Sequence, residues 1–515
     1  MLNLKGRIGV AKSPLDEGSA ILASRFRKDI ETKLSRVSPR TYLPQASALL
    51  ASVYEARDVW PLWPPHMILH SMEACCSYHG THDDPVDQAF LAELIDIYKA
   101  YPDPVIVRSL EKGTPKDREF AIMQMIRTQY PIQRRWNQYD FARAICLFIQ
   151  SPYPTILPKF VSLHGFDFAS WIELTFCVAA VKSPVMNEAY LFRSEALTYP
   201  EDVVRKVLKE LSRSVQELKE GFDEARKSYG PHMEWNIPSQ LVRTPLIDLG
   251  GGDYVVSHRP FVLGRACQGL YDMCRQNGLN EFGEEYGSAF ETYVGRVLGA
   301  FPNVVNLLTE DQMKELVSGK VCDYLVEFPT CILLVDCKAV EYTATYLSES
   351  AIAGNNSTTK VAKAVSQVWN VAGALKRGVL EPLIGDGKGK FVVGAVITFR
   401  EIPRIGGSVY WGIVSPLVEV PEGAPSLDEV FTFRPQIMDV ASLEALGIKL
   451  LSGATLEEVI SSKGEESDWG PYLAHDTSVN EHAFPLLDEV FGTYAHDIME
   501  KIIAAETAHG KHLSR

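Results

Sequence analysis

The sequence predicts a multidomain protein of mixed class, α+β or α/β: a mostly helical N-terminal region, then a core ordered αβββαβ, then a helical C-terminal extension. Three observations predict it. The chain has 515 residues, more than one ordinary hydrophobic core accommodates, so about three domains or subdomains are expected. Residues 1–240 place apolar side chains at three- and four-residue spacing, the signature of amphipathic helices. From residue 281 the pattern changes to short β-type runs set between two helical segments.

In chain order, PVDQAFLAELIDIYKAY and EDVVRKVLKELSRSVQELKEGFDEARKSYG represent the helical region 1–240. The second, bounded by Pro200 and by Gly230-Pro231, reads as one long helix crossing between domains. PLIDLGGGDYVVSH reads as two short strands about a glycine turn, opening a hairpin-and-helix linker over 241–280. The core, 281–415, begins with the helix EFGEEYGSAFETYVGRVLGAF and the strand NVVNLL. The runs CDYLVEF and CILLVDCKAV then meet across Pro329-Thr330 as an antiparallel hairpin. A loop rich in Ser, Asn and Thr leads to the helix TKVAKAVSQVWNVAGALKR and the strand KFVVGAVITF. Residues 416–515 return to loops and helices, ending in LLDEVFGTYAHDIMEKIIAAE and a polar tail.

A hydrophobic content of 46% with 23% charged residues is that of a globular protein. The longest apolar stretch, FASWIELTFCVAAV, is interrupted by Glu173 and too short to span a bilayer, so no membrane partner is expected. MLNLKGRIGVAKSP lacks the apolar run of a secretory signal. Nine cysteines without a CxxC pair do not form a disulfide framework, and a reducing cytoplasm is the expected location. A net charge of -14 argues against a broad basic surface. A nucleic-acid partner would have to meet a restricted patch, a partner subunit or metal-assisted contacts to phosphate.

The chemistry concentrates in ILLVDCKAV, a strand pattern that nonetheless carries Asp336 and Lys338 on one face. An ionised group buried without compensation costs several kcal/mol. If the hairpin loop is symmetric, Phe328 faces Cys331 and Asp323 falls directly opposite Asp336. Pro329 cannot adopt the positive φ of a type I′ turn, which favours four loop residues over two. Carboxylates opposed across strands destabilise unless a cation lies between them. Two hard oxygen ligands suit Mg²⁺, or Mn²⁺, and an adjacent ammonium can orient or help deprotonate an attacking water and stabilise charge developing on phosphorus. The charges make sense together as a metal-dependent phosphodiesterase site.

This arrangement resembles the PD-(D/E)xK, or restriction-endonuclease-like, nuclease superfamily. In that family an αβββαβ core carries an acid on its second strand and a D/E-x-K triplet on its third. Here Asp323 matches the first and Asp336-Cys337-Lys338 the second, over residues 281–400. The family often adds a helical glutamate, to which Glu291 in SAFETYVGRVL is similar, and a glutamine, to which Gln367 in AVSQVWN is similar. No proline precedes Asp323, and the triplet acid is Asp rather than the commoner Glu. The resemblance implies a Mg²⁺-dependent endonuclease with Asp323, Asp336, Lys338, Glu291 and Gln367 catalytic, and with Asp323, Asp336 and Glu291 on the metal. It also implies DNA as the nucleic acid and an anti-phage or restriction role. An RNA- or tRNA-cleaving toxin-like nuclease and an inactive nuclease-fold scaffold are the rival readings.

Local physics bears on the helical positions. Gly287 and Gly295 flank Glu291 at i−4 and i+4, so its helix face carries little bulk and a sheet edge or phosphate backbone could approach. Lys360, Lys363, Gln367 and Asn370 form a polar stripe that could track a nucleic-acid backbone, against an ordinary exposed face as the alternative. The large N-terminal region suggests a homo-oligomer or a partner-protein complex. His66, His70, Cys75, Cys76, His79 and His82 fit no zinc-knuckle spacing, and buried helix cysteines with histidines at the helix end are expected instead. GDGKGK lacks phosphate-loop spacing and reads as a loop before a strand.

Overall fold

The computed structural model describes residues 17–56, 59, 62–80, 82, 84–101, 114, 132, 136–192, 199–229, 237–277, 279, 281–340, 356–385, 389–400, 407–461, 484–494, 496–498 and 500. The chain divides into two compact units. One comprises Met1–Asn137, Pro154–Leu279 and Thr493–Arg515, the other Gln138–Tyr153 and Asn280–Gly492. Among the described residues no helix is long and apolar enough to cross a membrane.

The first unit is mostly helical. Side chains of Glu17–Leu34, Pro39–Glu55, Pro65–Tyr78 and Gln88–Ala100 share a core built on Phe26, Leu34, Tyr42, Met72 and Tyr98. Ser38 starts the second helix as a capping box with Thr41, satisfying N–H groups the helix itself leaves free. The apolar stretch around Glu173 forms the helix Phe168–Ala180, and the buried Glu173 accepts from the Tyr199 and Tyr494 hydroxyls at 2.8 and 2.9 Å. A small sheet completes the unit. β1 (Val185–Asn187), β2 (Ser212–Ser214), β3 (Leu246–Gly250) and β4 (Asp253–Val256) lie in the order β1-β4-β3-β2. The β3–β4 hairpin turns through Gly250, Gly251 and Gly252, all at positive φ, as the GGG run suggested.

The expected long helix over 201–230 is two helices, Glu201–Leu211 and Val215–Tyr229, separated by β2. Both belong to the first unit, so neither crosses between the two. The break falls at Ser-Arg-Ser, where β2 pairs in parallel with β3. Glu217 then caps the second helix by accepting from the Ser214 N–H at 2.8 Å.

The second unit follows the αβββαβ order. The helix Phe282–Gly299 leads into β5 (Asn306–Thr309), the short helix Glu310–Lys314, β6 (Tyr324–Glu327) and β7 (Cys331–Lys338). The helix Asn356–Lys376 then returns the chain to β8 (Phe391–Thr398), parallel to β7. The region expected as a C-terminal extension supplies the fifth strand, β9 (Gln436–Asp439), parallel to β8, and the largely buried helix Val440–Leu451. The N-terminal region supplies a further helix of this unit, Gln138–Phe148. Every residue of β7 except Lys338 is buried, as a central strand covered on both faces requires. The helix Asn356–Lys376 lies close on the sheet because Gly394 of β8 has no side chain: a Cβ there would come within 2.7 Å of Val368.

Candidate active site

β6 and β7 pair Tyr324 with Val335, Leu325 with Leu334, Val326 with Leu333 and Glu327 with Ile332. One step further along the same register brings Asp323 opposite Asp336, as a symmetric loop predicts. At the other end the Phe328 N–H donates to the Cys331 carbonyl at 2.8 Å. Neither Pro329 nor Thr330 has positive φ. The Phe328 carbonyl accepts from Lys390 Nζ at 3.1 Å, which helps close the hairpin over Pro329.

Asp336 is completely buried and Asp323 nearly so, at 0% and 8% exposure. Asp323 Oδ2 accepts from the Cys337 N–H at 2.6 Å, inside the DCK triplet itself. Asp336 is less well provided for. Lys338 Nζ lies against its Oδ1 as an ion pair, and its Oδ2 has no hydrogen-bond partner among the described residues. Buried polar groups are rarely left this way, and each exception asks for a cause.

Glu291 sits on the helix Phe282–Gly299, partly exposed. The bare face predicted around it is used at one end. The Tyr324 hydroxyl donates to the Glu291 carbonyl at 3.0 Å, and a Cβ on Gly295 would collide with that hydroxyl at 2.5 Å. At Gly287 an added Cβ would meet nothing within 4 Å.

On the helix Asn356–Lys376 the predicted polar stripe divides. Lys360 and Lys363 are exposed. Gln367 and Asn370 instead turn their carboxamides to the chain before β6: Gln367 Nε2 donates to the Val321 carbonyl at 2.8 Å, and Asn370 Nδ2 to those of Ser318 and Lys320, both at 2.9 Å.

The electrostatics follow from burial and sign. Desolvation pushes the Asp336 carboxyl up to about 7; Lys338 opposes the rise and Asp323 adds to it. Burial also raises Asp323, against the pull of Lys338 and the Cys337 N–H. Glu291 is raised by burial and then by Asp323 and Glu310. Burial alone would lower Lys338, but Asp336 and Asp323 outweigh it, so its ammonium is held more firmly than usual.

Glu310 is a member of this cluster that the motif reading missed. β5 ends at Thr309, paired with Tyr324, so Glu310, the first residue of the helix that follows, comes near Asp323. Its charge raises Asp323, Asp336 and Glu291 alike, while Lys314 pairs with it at 2.8 Å. The sequence signal was TEDQ after an apolar run, a capping box that puts two acids in the first turn of a helix.

The donor set fits a hard divalent cation in one respect: two opposed carboxylates, one of them wholly buried with its Oδ2 unpartnered among the described residues, are oxygen ligands of the kind Mg²⁺ or Mn²⁺ takes. Among the described residues no group of three or more His, Cys, Asp and Glu side chains is arranged to hold a metal ion. Asp323, Asp336 and Glu291, the residues the resemblance gives to a metal, would supply carboxylate oxygens, with water completing the shell.

Elsewhere, Cys75 and Cys76 are buried in the helix Pro65–Tyr78, and His79 past its end places Nδ1 near the Cys75 and Cys76 carbonyls, at 3.1 and 3.0 Å. All nine cysteines are buried thiols. Residues 341–355, most of the predicted polar loop, and 386–388 of GDGKGK lie outside the described residues. No protein-family model, curated protein or solved structure matches this chain.

Proposed function

We propose that the second unit is a divalent-cation-dependent phosphodiesterase acting on nucleic acid, with DNA the first substrate to test. The observation that carries this reading is the wholly buried Asp336, opposed by Asp323, with Lys338 against its Oδ1 and its Oδ2 without a partner among the described residues. One ammonium beside two buried, opposed carboxylates leaves a net negative site that a divalent cation would compensate. When bound, Mg²⁺ or Mn²⁺ would polarise a phosphoryl oxygen and acidify a water.

The chain's own residues take the remaining roles. Asp323 and Asp336 provide the anionic oxygens that hold the cation, and the Cys337 N–H keeps Asp323 turned towards β7. Lys338, with its proton held firmly on Nζ, donates to and stabilises negative charge developing on phosphorus rather than accepting a proton. Glu291, raised by burial and neighbouring acids, holds a proton at its carboxyl more readily than an exposed glutamate does. Lys360 and Lys363 offer exposed cations for phosphate.

Purified protein should cleave plasmid, linear or single-stranded DNA with Mg²⁺ or Mn²⁺ and not with EDTA, and Asp336→Ala and Lys338→Ala should each abolish cleavage while leaving the circular-dichroism spectrum intact. Cleavage of RNA alone would make the protein a ribonuclease. Wild-type rates in either variant would remove the assignment. A restriction or anti-phage role rests on the family resemblance; plaque counts on cells carrying wild type or Asp336→Ala test it.

A further inference from the structure

Before β6 the chain runs through residues 315–323 outside any helix or strand. Thr309 starts the capping box of Glu310–Lys314, and the ladder of β6 begins only at Tyr324. Between them, Ser318-Gly319-Lys320 makes a turn with Gly319 at φ +83°. Asp323 thus hangs one residue outside the strand that presents it. Its side chain is tied on one side only, to the Cys337 N–H.

Three carbonyls of this segment, those of Ser318, Lys320 and Val321, are nonetheless bound, and all from one helix. Asn370 bridges Ser318 and Lys320, and its Nδ2 lies 3.4 Å from where a Cβ on Gly319 would stand. Gln367, one turn earlier, holds Val321, two residues before Asp323. The opposite face of that helix is anchored by Val361, Val365 and Val368, all fully buried. The two carboxamides therefore transmit the position of a rigid element to the backbone that carries Asp323.

Resting on the metal-dependent reading above, we infer that Asn370 and Gln367 are positioning residues: their bonds to the Ser318, Lys320 and Val321 carbonyls fix Asp323 opposite Asp336 and so set the affinity of the pair for a divalent cation. This differs from a role on the nucleic-acid backbone, since both amides are committed to the protein's own carbonyls. It also differs from plain structural support. The Asn370 bonds lie at the surface, where water can replace them once they are cut, so their removal should disturb placement more than stability.

The experiment is calorimetric titration of the full-length protein with MnCl₂ alone, for wild type, Asn370→Ala and Gln367→Met, with melting curves of each in EDTA. Groups that orient metal ligands typically matter by about 10- to 100-fold in metal affinity. Asn370→Ala should weaken Mn²⁺ binding within that range while its EDTA melting curve stays near wild type. Gln367→Met should do the same with a larger shift in melting. In an Asp323→Asn background both effects on Mn²⁺ should disappear, because the ligand they position is gone. Variants that melt lower in EDTA yet bind Mn²⁺ as wild type does would make the two residues structural only and overturn the inference. A wild type that binds no Mn²⁺ would overturn the reading of the site, and the inference with it.

Discussion

Within the unit that carries the five-stranded sheet, Arg143, Asp140, Glu444 and Tyr293 form one buried polar cluster, and Asp323, Asp336, Lys338, Glu291 and Glu310 form another, in part more exposed. The first is closed. Arg143 grips Glu444 with two bonds of 2.6 Å and Asp140 with one of 2.9 Å, and the Tyr293 hydroxyl donates to Glu444 at 2.6 Å. Burial raises the Glu444 carboxyl, but Arg143 and Tyr293 pull against the rise. The second is open: Asp323 and Asp336 share the ammonium of Lys338, and Oδ2 of the deeper carboxylate has no partner among the described residues. Burial of charge is common to both. What separates a clasp between helices from a candidate site is whether the charges satisfy one another.

The comparison breaks first at the clasp. Arg143→Met should cost about 3 to 5 kcal/mol, because Glu444 is left buried and unpaired; the denaturant midpoint measures it, and a loss below about 1 kcal/mol would mean the clasp is not a closed unit. A third buried carboxylate sharpens the contrast. Among the described residues Glu73 has no cation partner; it accepts from the Gln240 N–H at 2.7 Å, and burial pushes it up to about 7 from 4.5. A folded pKa raised above the unfolded one means that the native state holds the extra proton. Its contribution is therefore present at pH 4.5 and lost as pH rises through 7. The full swing is on the order of 2 to 3 kcal/mol, and Glu73→Gln should flatten that part of the stability–pH curve. An unchanged curve in the variant would show that Glu73 does not titrate in this window.

At the open cluster the effects are smaller and change sign. Mn²⁺ at a hundred times its dissociation constant should stabilise the wild type by about 2.7 kcal/mol, read as a raised melting midpoint, with no gain in Asp336→Asn. A gain that survives that substitution places the cation elsewhere. Asp323→Asn should stabilise the metal-free protein by about 0.5 to 1 kcal/mol, the scale of a cross-strand pair relieved of like charge, while removing most of the Mn²⁺ gain. A variant that melts lower in EDTA and keeps the full shift would contradict the facing-carboxylate geometry.

The amino-acid sequence by itself determined the order of elements in the sheet unit, since the period of apolar residues switches where the structure does, between Phe282–Gly299 and β5 and again at Asn356–Lys376. It also determined the opposition of Asp323 and Asp336, because a symmetric loop leaves one register for a hairpin. Only the tertiary structure decided what depends on partners distant in the chain. Ser212–Ser214 left a helical pattern because β3 offered it a ladder. Residues read as a terminal extension became β9 because β8 had an open edge to fill. Glu310 joined the acids through its neighbour on β6, and Gln367 and Asn370 turned from a surface stripe to the carbonyls before Asp323. Periodicity and loop symmetry are local and can be counted along a chain. The destination of a buried charge or a carboxamide depends on which unsatisfied groups the fold brings within about 3 Å of it.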